Sequence, residues 1–83
     1  MGIIESYIYV ENDLTKQCVS VKYSVLFSQV ASFYEYPKEL DDIMDNNGTK
    51  VYCKDGSSAI LLMNYEEFKK QLFNCQVIQF SKN

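Results

Sequence analysis

Five carboxylates crowd into eleven residues: Glu35, Glu39, Asp41, Asp42 and Asp45, opposed only by Lys38. Paired carboxyl groups can divide acid and base roles, provided burial and neighbours push their pKa values apart. This segment reads as a short surface helix followed by a flexible loop, which offers neither burial nor rigidity. Two readings remain. One is a solvated acidic face that keeps the protein soluble. The other is a negative face that docks on a basic surface of a partner and speeds association by steering.

A calcium loop is the other chemistry to test, because Asp45-Asn46-Asn47-Gly48 holds three oxygen-bearing side chains and a glycine. An EF-hand loop places its glycine at position six. That frame sets Ile43 at position one and Lys54 at position twelve, where carboxylates are required. The match fails at both ends.

The second group of chemical side chains is aromatic and basic. Tyr34 and Tyr36 alternate along one expected strand, and Tyr7 and Tyr9 along another. Tyr52 stands between Lys50 and Lys54. The apolar partners in each strand sit on the opposite positions: Ile8 and Val10, Phe33, Val51 and Cys53. If the aliphatic positions face the core, the tyrosines line the opposite face. A rigid, amphipathic face of this kind suits a protein interface or the stacking of a base. Ordinary cross-strand tyrosine pairs, or a sheet covered on both sides, would produce the same pattern. Burying this much on both faces of so small a domain favours a homo-oligomer.

Other chemistries lack their side chains. The chain has no histidine, arginine or tryptophan, and all eight basic residues are lysines. Without imidazole there is no neutral-pH general base and no histidine metal ligand. Without guanidinium there is no bidentate fork for phosphate or guanine. Cys18, Cys53 and Cys75 are too scattered for zinc. No Ser-x-x-Lys and no nucleophile elbow is present, and the three glycines form no phosphate-binding loop. The expectation is a protein that is not an enzyme and uses neither metal nor cofactor.

Eighty-three residues make one domain, burying only about 60–65% of its unfolded surface. A net charge of −3 disfavours duplex nucleic acid, where affinity comes from clustered cations. No window reaches the roughly 18 apolar residues of a membrane span, and the N-terminus lacks a basic leader. An odd number of cysteines fits a reduced, cytoplasmic setting. Lysine without arginine, with frequent Asn, Tyr and Ile, is a bias associated with AT-rich genomes such as those of low-GC bacteria and their phages.

These side chains must be positioned by an α+β arrangement. Ile4–Val10 and Gln17–Tyr23 alternate and predict a hairpin with a loop longer than the tightest turns. Ser24–Val30 either continues the strand or forms one helical turn around Phe27. Ala31–Tyr36 reads as a strand ended by Pro37. Lys38–Asp45 reads as a short helix, with Leu40, Ile43 and Met44 on one stripe. Thr49–Cys53 and Ser58–Met63 are strands joined by a turn at Lys54-Asp55-Gly56-Ser57, where Asp-Gly suits a primed turn. The apolar return strand should be central. Asn64 caps a helix, with Glu67 completing a capping box and Glu66 set to pair with Lys70. Tyr65, Phe68, Leu72 and Phe73 form its apolar stripe, Asn74 ends it, and Val77–Phe80 adds a short strand. The whole predicts about five mainly antiparallel strands with the C-terminal helix across one face.

The stretches Phe27–Tyr36 and Lys50–Leu72 bear a faint resemblance to the strand–turn–strand–helix pattern of LytTR-type DNA-binding domains. The resemblance covers about half the chain. Where that family places a basic His-Arg-Ser run, this chain has Gln79-Phe80-Ser81-Lys82. The motif that would carry DNA contact is missing, and the shared pattern is generic to small α+β domains.

The function expected from the sequence is a small binding protein that blocks or regulates a larger protein partner, such as an inhibitor encoded by a phage or mobile element. The alternative is a homo-oligomer that binds or sequesters a nucleotide messenger, stacking its base on tyrosine while Lys50, Lys54 and backbone N–H groups meet phosphate.

Overall fold

The computed structural model describes the backbone of residues 2–81 and the side chains of residues 2–75. Period-two alternation forms the first hairpin, β1 (Ile3–Glu11) with β2 (Cys18–Leu26). Their antiparallel register sets Ile4 opposite Val25 and Val10 opposite Val19. The six-residue connection is organised by Asn12. Its side-chain oxygen accepts the Leu14 and Thr15 N–H groups, and its own N–H donates to the Gln17 carbonyl. β2 continues to Leu26, and one 3-10 turn at Phe27–Gln29 follows. Both options read for this stretch are therefore used in succession.

The second sheet holds β3 (Val30–Tyr36), β4 (Gly48–Cys53) and β5 (Ser58–Leu61), in the order β3-β4-β5 with both pairings antiparallel. β4 is central and β5 is terminal, which corrects the central placing expected of the apolar run. That run is apolar for another reason. Ala59 and Leu61 pack on the core, and the Leu62 N–H then bonds to the Tyr7 carbonyl at 2.8 Å, laying β5 beside β1.

The β4–β5 turn also differs from the primed form. Gly56 N–H closes on the Cys53 carbonyl, and Gly56 alone takes a positive φ, at 93°. This matches a hairpin turn completed by a left-handed glycine, not one with two left-handed residues. The Asp55 carboxylate accepts both the Ser57 hydroxyl and its N–H, which hold the acid below its usual 3.8.

α1 (Tyr65–Ser81) starts at Asn64, whose side-chain oxygen accepts the Glu67 N–H at 2.7 Å. The reciprocal half of the capping box is not formed. Glu67 instead accepts from the Gln71 side chain, and Glu66 meets Lys69, not Lys70. The helix runs through Asn74 and takes in 77–80, so the closing strand is absent. One asparagine costs a helix only about 0.7 kcal/mol. Tertiary contact holds the next turn: Gly2 sits so close to Cys75 that an added Cβ would lie 2.9 Å from the Cys75 Cβ.

Phe68 is fully buried and anchors a core with Ile4, Val25, Val51 and Leu61. Leu72 and Cys75 pack against that core, whereas Phe73 points outward. The fold is thus α+β: a two-stranded and a three-stranded antiparallel sheet with one C-terminal helix packed on them. No helix among the described residues is long and apolar enough to cross a membrane.

The helix expected over Lys38–Asp45 shrinks to one 3-10 turn at Lys38–Leu40. Asp41 is extended, at φ −150° and ψ 114°, and its carboxylate accepts the Ile43 N–H. The Asn47 side chain accepts the Lys38 N–H at 2.9 Å. These local bonds replace the helical ones. Of the expected stripe, Met44 alone is buried.

Candidate functional site

Register decides which side chains share a face. In β3 and β4, Tyr34 lies opposite Lys50, Tyr36 opposite Gly48, and Ser32 opposite Tyr52. In β5, Ile60 lies opposite Lys50 and Ser58 opposite Tyr52. Paired residues point to the same side of a sheet, so these eight make one outer face. The inner face carries Phe33, Thr49, Val51, Ala59 and Leu61. It is sealed by α1, with Phe33 packed edge-on to Phe68 and tilted against Tyr65.

The outer face remains open. Tyr34 is 45% exposed and Tyr52 is 40% exposed. Their ring centroids are 6.1 Å apart at an interplanar angle of 38°. The Lys50 ammonium lies 5.6 Å from the Tyr52 ring centroid, within reach of a cation–π contact. Hydrogen bonding between the two phenols, then partial desolvation and the nearness of Tyr52 and Tyr36 as charges, raises Tyr34 above its ordinary 10.0. The Tyr34 phenol is therefore neutral at physiological pH, available as donor and acceptor, and the adjacent Lys50 ammonium is the cation of the patch.

The sequence-derived pattern holds in β3 and β4, where Phe33 and Val51 go in and Tyr34, Tyr36 and Tyr52 out, while in β5 Ile60 joins the outer face. It fails in part on the hairpin. Tyr7 is exposed and Tyr9 half-buried, but Val10, expected inside, is exposed as well. Lys54 is not on the face. It occupies the β4–β5 turn, and its N–H donates to the Gln29 carbonyl.

The acidic segment adjoins the other end of the same sheet, where Tyr36 meets Gly48. Glu35, Glu39, Asp42 and Asp45 are exposed and Asp41 is half-buried. Asn47 ties the neck of the loop by donating to Glu35 at 3.4 Å and accepting from Lys38. Met44 pins its middle. An added Cβ on Gly48 would overlap the Leu61 carbonyl oxygen and the Met44 methyl, so glycine is what lets Met44 seat there. Among the described residues, no three carboxylate, thiol or imidazole side chains converge as a metal site would require.

Two cavities flank these features. One of about 570 Å³ is wide open and lined by Glu35, Lys38, Asn47, Tyr65 and Glu66, among others. The second, about 380 Å³, lies beside β1, β5 and the acidic loop and is lined by Tyr9, Ile43, Met44, Ile60 and Leu62, among others. Sequence reading missed Ile60 and Met44 because neither has a chemical side chain. The signal for Ile60 was its parity with Lys50 across the hairpin.

Comparison with protein-family models, with curated proteins and with solved structures returned no match.

Proposed function

We propose that this chain is a non-enzymatic binding protein, and that the outer face of β3-β4-β5 docks on a larger protein to block or regulate it. One observation carries this reading: α1 covers one side of the sheet, and the other side presents Tyr34, Tyr36 and Tyr52 around Lys50. Tyrosine gives a large contact area at low entropic cost, and interface hot spots are enriched in it. The acidic loop beside Tyr36 adds steering toward a basic partner surface. Pull-down from a host lysate tests this with wild type and Tyr34→Ser/Tyr52→Ser. The variant should lose the partner that wild type retains. Equal recovery by both would remove the face from consideration.

A second reading has its own support. Two neighbouring phenol rings with an ammonium 5.6 Å from one of them offer a stacking surface and a phosphate contact together. A nucleotide would stack on Tyr34 or Tyr52 and set its phosphate against Lys50. Thermal shift against a nucleotide panel separates the two readings, since a ligand in excess must raise stability. No shift with any nucleotide removes the second.

A further inference from the structure

Among the described residues β1 and β5 are tied by one backbone bond, from the Leu62 N–H to the Tyr7 carbonyl at 2.8 Å. They form no ladder and belong to different sheets. The cavity of about 380 Å³ beside them is lined by Tyr9 and Glu11 of β1 and by Ser58 and Ile60 of β5.

Register settles where the backbone groups of these four residues turn. In an antiparallel pair, hydrogen-bonded and non-hydrogen-bonded positions alternate. Asn12 bonds to Gln17 and Gly2 to Phe27 at the two ends of the first hairpin, so the even-numbered residues of β1 bond to β2. Tyr7, Tyr9 and Glu11 therefore turn their N–H and C=O groups away from β2. Cys53 bonds to Ser57 in the second hairpin, so Ala59 and Leu61 bond to β4, and Ser58, Ile60 and Leu62 turn away from it. The Leu62–Tyr7 bond joins one member of each outward set, as both assignments require. The outward groups of Tyr9, Glu11, Ser58 and Ile60 meet no backbone partner among the described residues. Unpaired edge groups of this kind are a template for another strand.

The rest of the lining fixes the chemistry of that strand. Ile8, Ile43, Met44, Ile60 and Leu62 make apolar walls. The charged groups are two carboxylates, Glu11 and Asp41, and none of the chain's eight lysines lines the cavity. Asp41 is half-buried, and its carboxylate is oriented by accepting the Ile43 N–H at 3.3 Å. The free stretch runs from Tyr9 to Glu11 on one side and from Ser58 to Ile60 on the other. Each is about 7 Å long, the span of three strand residues.

We infer that this cavity takes a short extended segment of a partner protein, alternately basic and apolar, which adds as a strand to the free edges of β1 and β5. Main-chain bonds to Tyr9, Glu11, Ser58 and Ile60 supply affinity, and Glu11 and Asp41 select cationic side chains. The site shares no residue with Tyr34, Tyr36, Lys50 and Tyr52, so it stands or falls independently of the tyrosine face.

Amide NMR titration of the full chain with three end-capped pentapeptides is the test. Lys-Val-Lys-Val-Lys should shift the amides of Tyr9, Glu11, Ser58 and Ile60 and saturate at roughly millimolar concentration or below. Glu-Val-Glu-Val-Glu lacks the charge, and the lysine peptide N-methylated at every residue lacks the N–H donors. Each should bind about tenfold more weakly or worse. Glu11→Gln/Asp41→Asn should weaken the lysine peptide about tenfold, whereas Glu39→Gln/Asp42→Asn, outside the cavity, should change it less than about threefold. Failure of the lysine peptide to saturate overturns the inference, as do shifts confined to Tyr34, Lys50 and Tyr52. Equal binding by the N-methylated peptide would mean a site for a cation alone, and equal binding by the glutamate peptide or an unweakened Glu11→Gln/Asp41→Asn would mean no charge selection; each of these overturns it too.

Discussion

The Phe33 and Phe68 rings meet edge to face with centroids 4.9 Å apart, and this contact joins the inner face of the sheet to the helix. Phe68 is fully buried, so the contact lies at the centre of a small core. Truncating a buried phenylalanine costs about 3–5 kcal/mol, most of the stability available to a domain of this size. Phe68→Ala should therefore be largely unfolded at room temperature. Urea titration followed by circular dichroism would show this as a lost transition, and a midpoint close to wild type would show that the core lies elsewhere.

The helix start depends on Asn64. Its side-chain oxygen accepts the Glu67 N–H, a donor that the helix itself leaves without a partner. Asn64→Ala should destabilise by about 1 kcal/mol, and Asn64→Asp should retain most of the stability. Because Glu67 bonds to Gln71 and not back to the cap, Glu67→Ala should cost much less than Asn64→Ala. Comparable losses from the two would mean that a reciprocal capping box forms in solution.

Two glycines should respond to alanine for different reasons. Gly56 has open space around it but a positive φ, so Gly56→Ala carries only the conformational penalty, about 1 kcal/mol. Gly48 has an ordinary φ but no room, and Gly48→Ala should displace Met44 or part β4 from β5 at a cost of about 1–3 kcal/mol. Backbone amide exchange would report the difference. Gly48→Ala should lose protection at Leu61 and through the acidic loop, whereas Gly56→Ala should affect the turn alone.

The phenol pair gives a pH signature. Tyr34 titrates above its unfolded value of 10.0, chiefly through hydrogen bonding with Tyr52. A raised folded-state pKa contributes stability that is present below the unfolded value and lost as pH climbs through the folded one. Asp55 works in the opposite direction. It is held below 3.8 by Ser57, so its contribution is present above the unfolded value and fades as pH falls through the folded one. Tyr52→Phe should move the Tyr34 titration down toward 10.0 in phenolate absorbance. An unmoved titration would show that the two hydroxyls do not interact in solution.

Signals carried within a few residues were legible in the sequence. The Asp55-Gly56 turn, the Asn64 cap and Phe68 on the helix stripe each rest on local chemistry, and each stands where expected. Features set by distant contacts were not. β5 looked central because Leu62 meets β1, and the helix outran Asn74 because Cys75 meets Gly2. The short helix after Pro37 failed because Asp41 and Asn47 bond to nearby backbone instead. At the site, alternation correctly placed Tyr34, Tyr36 and Tyr52 on one side of the sheet. A period of two tells which residues share a face but not whether anything covers it, so the exposure of Val10 and Val19 could not be read.

The most direct test of the tyrosine face is the affinity of a partner recovered with wild type, measured by calorimetry against wild type, Tyr34→Ser/Tyr52→Ser and Lys54→Ser. Losing two central tyrosines should weaken binding by about 100-fold or more, as interface anchors do. Lys54→Ser, out in the turn, should change it by less than about threefold. Undiminished affinity in the double tyrosine variant would contradict the assignment of this face as the binding surface.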